Sequence, residues 1–284
     1  MKLDRASGIL LHPTSLPGPD GIGSLGKNAY KWIDFLRISG CQLWQVLPLG
    51  PTGFGDSPYQ CFSSFAGNPN LISAETFLDQ GLLTNEDFND RPHFPNEEVD
   101  YGLVIEWKHK IFRRAFKRFI NNKDLSLYKH FQDFRHNQTN WLDDYALFMA
   151  IKDQQDQASW IKWPEPLRLR NSQSLAAFTE NNLAEIDYHA FLQFIFYQQW
   201  QSLHKYANQK GIKIIGDIPI FVAYDSADVW KNKSLFCLDE KGYPTVVAGV
   251  PPDYFSRTGQ LWGNPLYDWP IHKEQSFSWW LRRL

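Results

Sequence analysis

The 284-residue sequence has only three cysteines, Cys41, Cys61 and Cys237, set far apart and without a C-x-x-C pair. That scarcity excludes a disulfide framework and a cysteine-ligated zinc site, and three plain thiols are expected. Long apolar runs are missing too. Gly8-Ile-Leu-Leu and Ile214-Ile fall far short of the roughly 20 residues that cross a bilayer, so no membrane span is expected. The start, Met1-Lys-Leu-Asp-Arg, lacks the apolar centre of a signal peptide, which points to a soluble cytoplasmic protein. Neither sign of charge dominates: 29 Lys+Arg stand against 31 Asp+Glu, for a net charge of −2. With no basic block to track a phosphate backbone, nucleic acid is not an expected partner. The histidines are scattered without metal-ligand spacing, so no metal is assigned.

What the sequence does have is aromatic rings, 16% of all residues, in a chain that is 43% hydrophobic and 21% charged. This is the composition of an ordinary globular protein with a sizeable core. Most of the rings are expected to fill that core. Flat aromatic faces also stack on sugar rings, but only rings that a motif sets in a cleft count as ligand groups.

The pattern along the chain predicts three strands of a parallel sheet. Ile9-Leu-Leu opens into the Pro/Gly-rich loop His12-Pro-Thr-Ser-Leu-Pro-Gly. Asn28 is placed to cap a helix with Ala29, Trp32, Ile33 and Leu36 on one face and Gly40 as its stop. Leu43-Trp-Gln-Val-Leu completes a βαβ unit over residues 1–72, with parallel, right-handed connection expected. A long loop over 51–70 follows; a loop of that length is usually functional or disordered, and its four aromatics favour function. Residues 73–210 read as a mainly helical insertion, with Trp141, Leu142, Tyr145, Phe148 and Met149 on one stripe and Tyr188, Phe191, Leu192 and Ile195 on another. In 211–284, Gly211 ends the last helix and Ile212-Lys-Ile-Ile forms the third strand. An irregular stretch comes next, then a helix starting near Gln275. A parallel sheet of three strands leaves open edges, so the barrel portion is expected to be incomplete.

The segments after the three strands are the richest in candidate chemistry: His12-Pro-Thr-Ser-Leu-Pro-Gly, Asp56-Ser-Pro-Tyr, and Asp217-Ile-Pro-Ile-Phe-Val. In a (β/α) barrel those places hold the reactive groups. From position alone Asp217 reads either as a carboxylate capping a turn or as a ligand group. Tyr59 and Trp262 read as loop aromatics that either cover the core or bind something. His12, without a paired carboxylate or second ligand, reads as structural. Asp225, Asp228 and Asp253 read as loop carboxylates rather than a catalytic pair.

Five segments in order, namely Gly8-Ile-Leu-Leu-His-Pro-Thr-Ser-Leu-Pro-Gly, Asp56-Ser-Pro-Tyr-Gln, Phe65-Ala-Gly-Asn-Pro, Gly216-Asp-Ile-Pro-Ile-Phe-Val-Ala-Tyr-Asp-Ser-Ala-Asp-Val-Trp and Ala248-Gly-Val-Pro-Pro-Asp-Tyr-Phe with Gly259-Gln-Leu-Trp-Gly-Asn-Pro, resemble the amylomaltase (4-alpha-glucanotransferase, disproportionating enzyme) family. The resemblance implies an α/β fold, the N-terminal part of a TIM (β/α)8 barrel of the alpha-amylase clan with a large helical insertion between strands 2 and 3. It implies transfer of α-1,4-glucan segments within starch and maltodextrin metabolism, with maltodextrins as donors, glucose or a glucan as acceptor, and no cofactor. The chemistry implied is retaining double displacement by two carboxyl groups roughly 5–5.5 Å apart. On this resemblance Asp217 touches sugar hydroxyls without being the nucleophile. Ser57 and Tyr59 flank the donor sugar, and Tyr254, Phe255 and Trp262 overhang the acceptor side, with Asn264 and Pro265 completing that loop. The family's nucleophile in an Arg-Ile-Asp-His motif and its acid glutamate have no counterpart up to Leu284. The chain is therefore expected to be inactive alone, or alternatively to serve as a non-catalytic glucan-binding or interaction fragment.

Overall fold

The computed structural model describes residues 5–122 and 126–284; Met1–Asp4, which carry most of the N-terminal reading above, lie outside the described residues. In chain order the strands are β1 (Gly8–Leu10), β2 (Leu43–Gln45), β3 (Lys213–Ile215), β4 (Val247–Val250) and β5 (Gln260–Pro265). The α-helices are α1 (Lys27–Ile38), α2 (Thr76–Asp79), α3 (Tyr101–Asn121), α4 (Ser126–Asn137), α5 (Leu142–Gln154), α6 (Glu165–Arg168), α7 (Ser172–Asn181), α8 (Leu183–Gln209), α9 (Ala227–Lys231), α10 (Trp269–Glu274) and α11 (Ser278–Leu281). They form two compact units interleaved along the chain: residues 1–49, 67–139 and 190–217, and residues 50–66, 140–189 and 218–284.

In the first unit the three predicted strands form one parallel sheet in the order β1-β2-β3, with Ile9, Trp44 and Ile214 in one row. Trp44, at the centre of that row, is fully buried, and its Nε1 donates to the Leu11 carbonyl at 2.8 Å. Leu10 and Ile215, on the outer strands, are exposed. Helix α1 buries Ala29, Ile33 and Leu36 at i, i+4, i+7 spacing, and Gly40, at φ +76°, takes the left-handed turn that ends it. Its start differs from expectation. Gly26 is the N-cap, and Asn28 instead donates to the Pro17 carbonyl at 2.8 Å. A Cβ at Gly26 would lie 2.5 Å from Ser73 Oγ, so the close approach leaves no room for a capping side chain there.

Between β2 and β3 no strand occurs among the described residues. Helices α3 and α8 carry the aromatic core: Phe119 and Phe191 meet at 4.7 Å between ring centroids, and Phe77 meets Phe112 at 5.7 Å. Two glutamines of α8 satisfy backbone groups of the 67–73 segment. Gln193 Oε1 accepts from Gly67 N at 2.7 Å while its Nε2 donates to Gly67 O at 2.9 Å. Gln199 does the same for Ser73, at 2.8 Å and 3.2 Å. Buried peptide groups left unpaired cost as much as a lost hydrogen bond, so these two amides fix the path of a segment whose own regular structure is a single 3-10 turn, Pro69–Leu71. A Cβ at Gly67 would stand 2.0 Å from Phe196 Cδ1, which makes Phe65-Ala-Gly-Asn-Pro in part a packing motif.

In the second unit two expectations are corrected. The stretch after β3, read as irregular, holds α9 and the antiparallel hairpin of β4 and β5. Strand β5 hides from pattern reading because Gln260, Leu261, Trp262 and Gly263 are all exposed in succession, so it has no alternation to detect. The helix expected from Gln275 is instead two short ones. Asp268 caps α10, accepting from Ile271 N at 3.2 Å, and Pro270 stands in its first turn. Ser276 and Phe277, at φ +52° and +54°, then break the helical path before α11.

Candidate functional site

The loop of residues 50–66 is held across its neck by Gly53 N donating to Gln60 O at 2.8 Å and Phe62 N to Pro51 O at 2.9 Å. Inside it, Ser57 Oγ accepts from Tyr59 N at 3.3 Å, a short side-chain turn that presents Tyr59 at the surface. Ser57 thus has a local role in shaping the loop beside any contact it makes with a ligand. Cys61 is buried beneath, donating to Pro58 O at 2.9 Å, and burial pushes its thiol up to about 12. A thiol so far from ionising is no nucleophile.

Gln60 and Phe62 of this loop line a pocket of about 180 Å³ together with Asp225, Trp262 and Asn264. Asn264 is buried and donates to the Val222 carbonyl at 2.8 Å, so it shapes the strand end that carries Trp262. Trp262 is partly exposed, with its Nε1 donating to Gln260 Oε1 at 3.0 Å. Asp225 is held on two sides: Oδ2 accepts from Lys152 Nζ at 2.6 Å and Oδ1 from Trp160 N at 3.1 Å. Sequence reading left Asp225 among solvated loop carboxylates and gave no sign of Lys152, which comes from the inner face of α5.

Between β4 and β5 the chain makes a tight loop. Asp253 Oδ1 accepts from Phe255 N at 2.9 Å and Ser256 N at 2.7 Å, and Ser256 Oγ donates to Gly259 O at 2.7 Å. These bonds hold Tyr254 and Phe255 on the outside, 99% and 92% exposed. Burying such side chains is worth about 1.5–3 kcal/mol each, so their exposure forgoes a substantial gain.

Asp217 lies two residues past β3, partly buried, in the first unit. In the second unit, Asp253 and Asp228 have partners of their own. Asp253 is used by its own loop. Asp228 is buried, accepting from Ser64 N at 2.7 Å and Trp279 Nε1 at 3.2 Å, and burial raises its pKa. His12 is held neutral by burial, its pKa lowered to about 4, and its Nδ1 is buried without a hydrogen-bond partner. Among the described residues no group of three His, Cys, Asp or Glu could hold a metal ion, and no helix is long and apolar enough to cross a membrane.

Comparison with known proteins adds the following. Residues 11–284 match the family model described as 4-alpha-glucanotransferase, of glycosyl hydrolase family 77. The chain is 51% identical over 284 residues to a 4-alpha-glucanotransferase of Thermus thermophilus, covering all of this chain and 56% of that protein. It is 46% identical over 286 residues to a chloroplastic/amyloplastic 4-alpha-glucanotransferase of Solanum tuberosum, covering 99% of this chain and 49% of that one. The chain thus spans about half the length of these relatives. Among solved structures it is similar to the amylomaltase from Streptococcus agalactiae in complex with acarbose, with a TM-score of 0.94 and 42% identity over 99% of this chain and 56% of that one. An amylomaltase from Corynebacterium glutamicum shares the fold at a TM-score of 0.67 with 16% identity, over 96% and 38%. The amylomaltase likeness supports an alpha-amylase-like TIM-barrel family for this α/β chain.

Proposed function

The chain belongs to the 4-alpha-glucanotransferase family, glycosyl hydrolase family 77, and on that premise we propose that it carries glucan subsites of an enzyme that moves α-1,4-glucan segments to the 4-hydroxyl of another glucan or of glucose. The observation that carries this reading is the β4–β5 hairpin, which holds Tyr254 and Phe255 fully in solvent by hydrogen bonds to Asp253. Exposed rings on a fixed loop are suited to stack on the apolar faces of sugars, and a paired apolar display of this kind marks a binding surface. In this proposal Trp262 stacks on an acceptor sugar, Tyr59 and Ser57 flank the donor sugar, and Asp217 accepts sugar hydroxyl protons.

The fold reading proposed with it is part of a barrel with a helical insertion at 73–210; the exposed Leu10 and Ile215 on the outer strands support it, because parallel sheets are ordinarily covered on both faces. Retaining transfer needs a carboxylate nucleophile, which forms a glycosyl-enzyme intermediate that a sugar hydroxyl then breaks. Arg-Ile-Asp-His does not occur in the 284 residues. The proposal is therefore that the 284-residue chain binds maltodextrins and by itself transfers nothing. Two measurements on one preparation test it: isothermal titration with maltoheptaose, and product analysis after incubation with maltotriose. Binding without new oligosaccharides is the expected result. A folded chain that ignores maltoheptaose refutes the binding reading, and longer oligosaccharides from maltotriose refute the inactivity.

A further inference from the structure

Lys152 and Asp225 form a confined charged pair in the second unit. The Lys152 side chain is 2% exposed and that of Asp225 is 30% exposed, with 2.6 Å between Nζ and Oδ2. An ammonium has three protons to donate, and Lys152 directs them at Gln157 O and Ala158 O, both at 3.2 Å, and at Asp225. Its Nζ also lies 4.7 Å from the centroid of the Phe62 ring. No donor of Lys152 remains for a ligand, and its charge is matched by the carboxylate in front of it. A carboxylate has about four lone-pair positions. Asp225 uses one for Lys152 and one for Trp160 N. The rest of its capacity belongs to a side chain that lines the 180 Å³ pocket beside Trp262 and Gln60.

A buried lysine is an expensive means of bracing a turn, since ion pairs removed from water seldom outdo apolar packing. What the pair supplies that apolar packing cannot is a carboxylate locked in one orientation at a pocket wall. We propose that Asp225 is a sugar-positioning residue, anchored from behind by Lys152, whose remaining lone pairs accept hydroxyl protons of a neutral sugar ring stacked against Trp262. The same arrangement rejects anionic sugars, because Asp225 presents negative charge to the pocket while Lys152 has nothing left to offer. This rests on the glucan-binding reading above and adds to it a residue and a selectivity.

The test titrates the 284-residue chain and its Asp225→Asn variant with maltoheptaose, and compares glucose with glucuronate on both by saturation-transfer NMR. Asn keeps the shape and one acceptor but loses the charge and the second strong acceptor. The expected result is a variant that melts lower than the wild type, because Lys152 loses its counter-charge, yet is folded at the titration temperature, with maltoheptaose affinity about tenfold weaker and a glucose preference over glucuronate that shrinks. A wild-type chain that binds neither maltoheptaose nor glucose brings down the glucan reading itself. A wild-type chain that binds, with a variant equal to it in affinity and in preference, overturns only the role of Asp225 and leaves it as a brace for the turn at Trp160. Should Asp225→Asn fail to fold, carboxyl-labelled wild-type protein decides: maltoheptaose must move the Asp225 carboxyl resonance, and a resonance that stays in place overturns the proposal.

Discussion

In the first unit aromatic rings meet one another: Phe119 and Phe191 are fully buried and contact Phe116, Phe131 and each other at 4.7–6.5 Å. In the second, the hairpin keeps Tyr254 and Phe255 in water, touching each other edge to face at 6.0 Å. Both arrangements draw on one aromatic-rich composition, and burial alone separates their uses. In the core a ring contributes dispersion and desolvation to stability. On the hairpin it contributes neither, so what it offers is a surface for something else. The contrast is sharpened or broken by asking what each ring is worth to folding and what each is worth to binding.

The largest effect belongs to the core. Phe191→Ala removes a ring at the junction of α3 and α8 and leaves a cavity that helices of this length close only in part. A loss of about 3–5 kcal/mol in unfolding free energy is expected, read from urea denaturation followed by circular dichroism. A loss under about 1 kcal/mol would mean that the ring cluster is no core at all. Next comes the glutamine clasp. Gln193→Ala removes both partners of the Gly67 peptide groups, 126 residues away in sequence, and about 2–4 kcal/mol should be lost. If Gln193→Ala is neutral, water has replaced the side chain and the segment is not fixed by α8.

A smaller and pH-dependent effect belongs to His12. Its folded pKa lies near 4, below the ordinary value of 6.5, because burial disfavours the imidazolium. The unfolded chain therefore takes up a proton before the folded one does, and stability falls as the pH drops from about 6.5 to about 4, then falls no further on this account. With allowance for partial exposure the loss is on the order of 2 kcal/mol. Asp228 opposes it, since a raised carboxyl pKa adds stability as the pH falls, so the measurement compares wild type with His12→Asn at pH 7 and pH 4.5. The variant should lose less between the two. An equal loss in both would show that His12 is not held neutral. Asp87, lowered to about 2 by Arg118, titrates below this window.

The same contrast explains what was legible in the sequence. Periodicity reports burial, so α1, the stripes around Tyr145 and Phe191, and the three parallel strands could be read from spacing. The βαβ order followed from run length and from Gly40 and Gly211, which end the helices before β2 and β3 at positive φ. What escaped is what burial does not pattern. Strand β5 has four exposed residues in a row, and the break at Ser276 and Phe277 is a left-handed pair without a glycine to announce it. Tyr59, Trp262 and the 254–255 pair were named as sugar contacts only on motif resemblance, because an exposed aromatic in a loop carries no spacing signal. Lys152 could not be found from sequence: on a helix it reads as a solvated face, and only the fold turns it inward to Asp225. Asn28 was misread for the converse reason: the cap falls at Gly26, packed against the Ser73 side chain, and the good capping residue bonds the Pro17 carbonyl instead.

The smallest effect on folding is the one that matters most to the proposed function. Tyr254→Ala and Phe255→Ala remove rings that are almost wholly in solvent, and neither ring accepts or supplies a hydrogen bond that holds the loop, since Asp253 bonds the backbone of Phe255 and Ser256. Each should change unfolding free energy by no more than about 0.5 kcal/mol. Stacking of one ring on a sugar face is of the order of other aromatic contacts, about 0.5–1.5 kcal/mol, so the double variant should weaken maltoheptaose binding about fivefold to a hundredfold while melting like the wild type. Asp253→Ala separates display from contact. It keeps both rings and removes the acceptor that orders the loop, and it should cost affinity by the entropy of ordering the loop on binding. If the double variant binds as tightly as the wild type, the hairpin is not a sugar platform. If it melts many degrees lower, the rings are packed in solution and the contrast with Phe191 disappears.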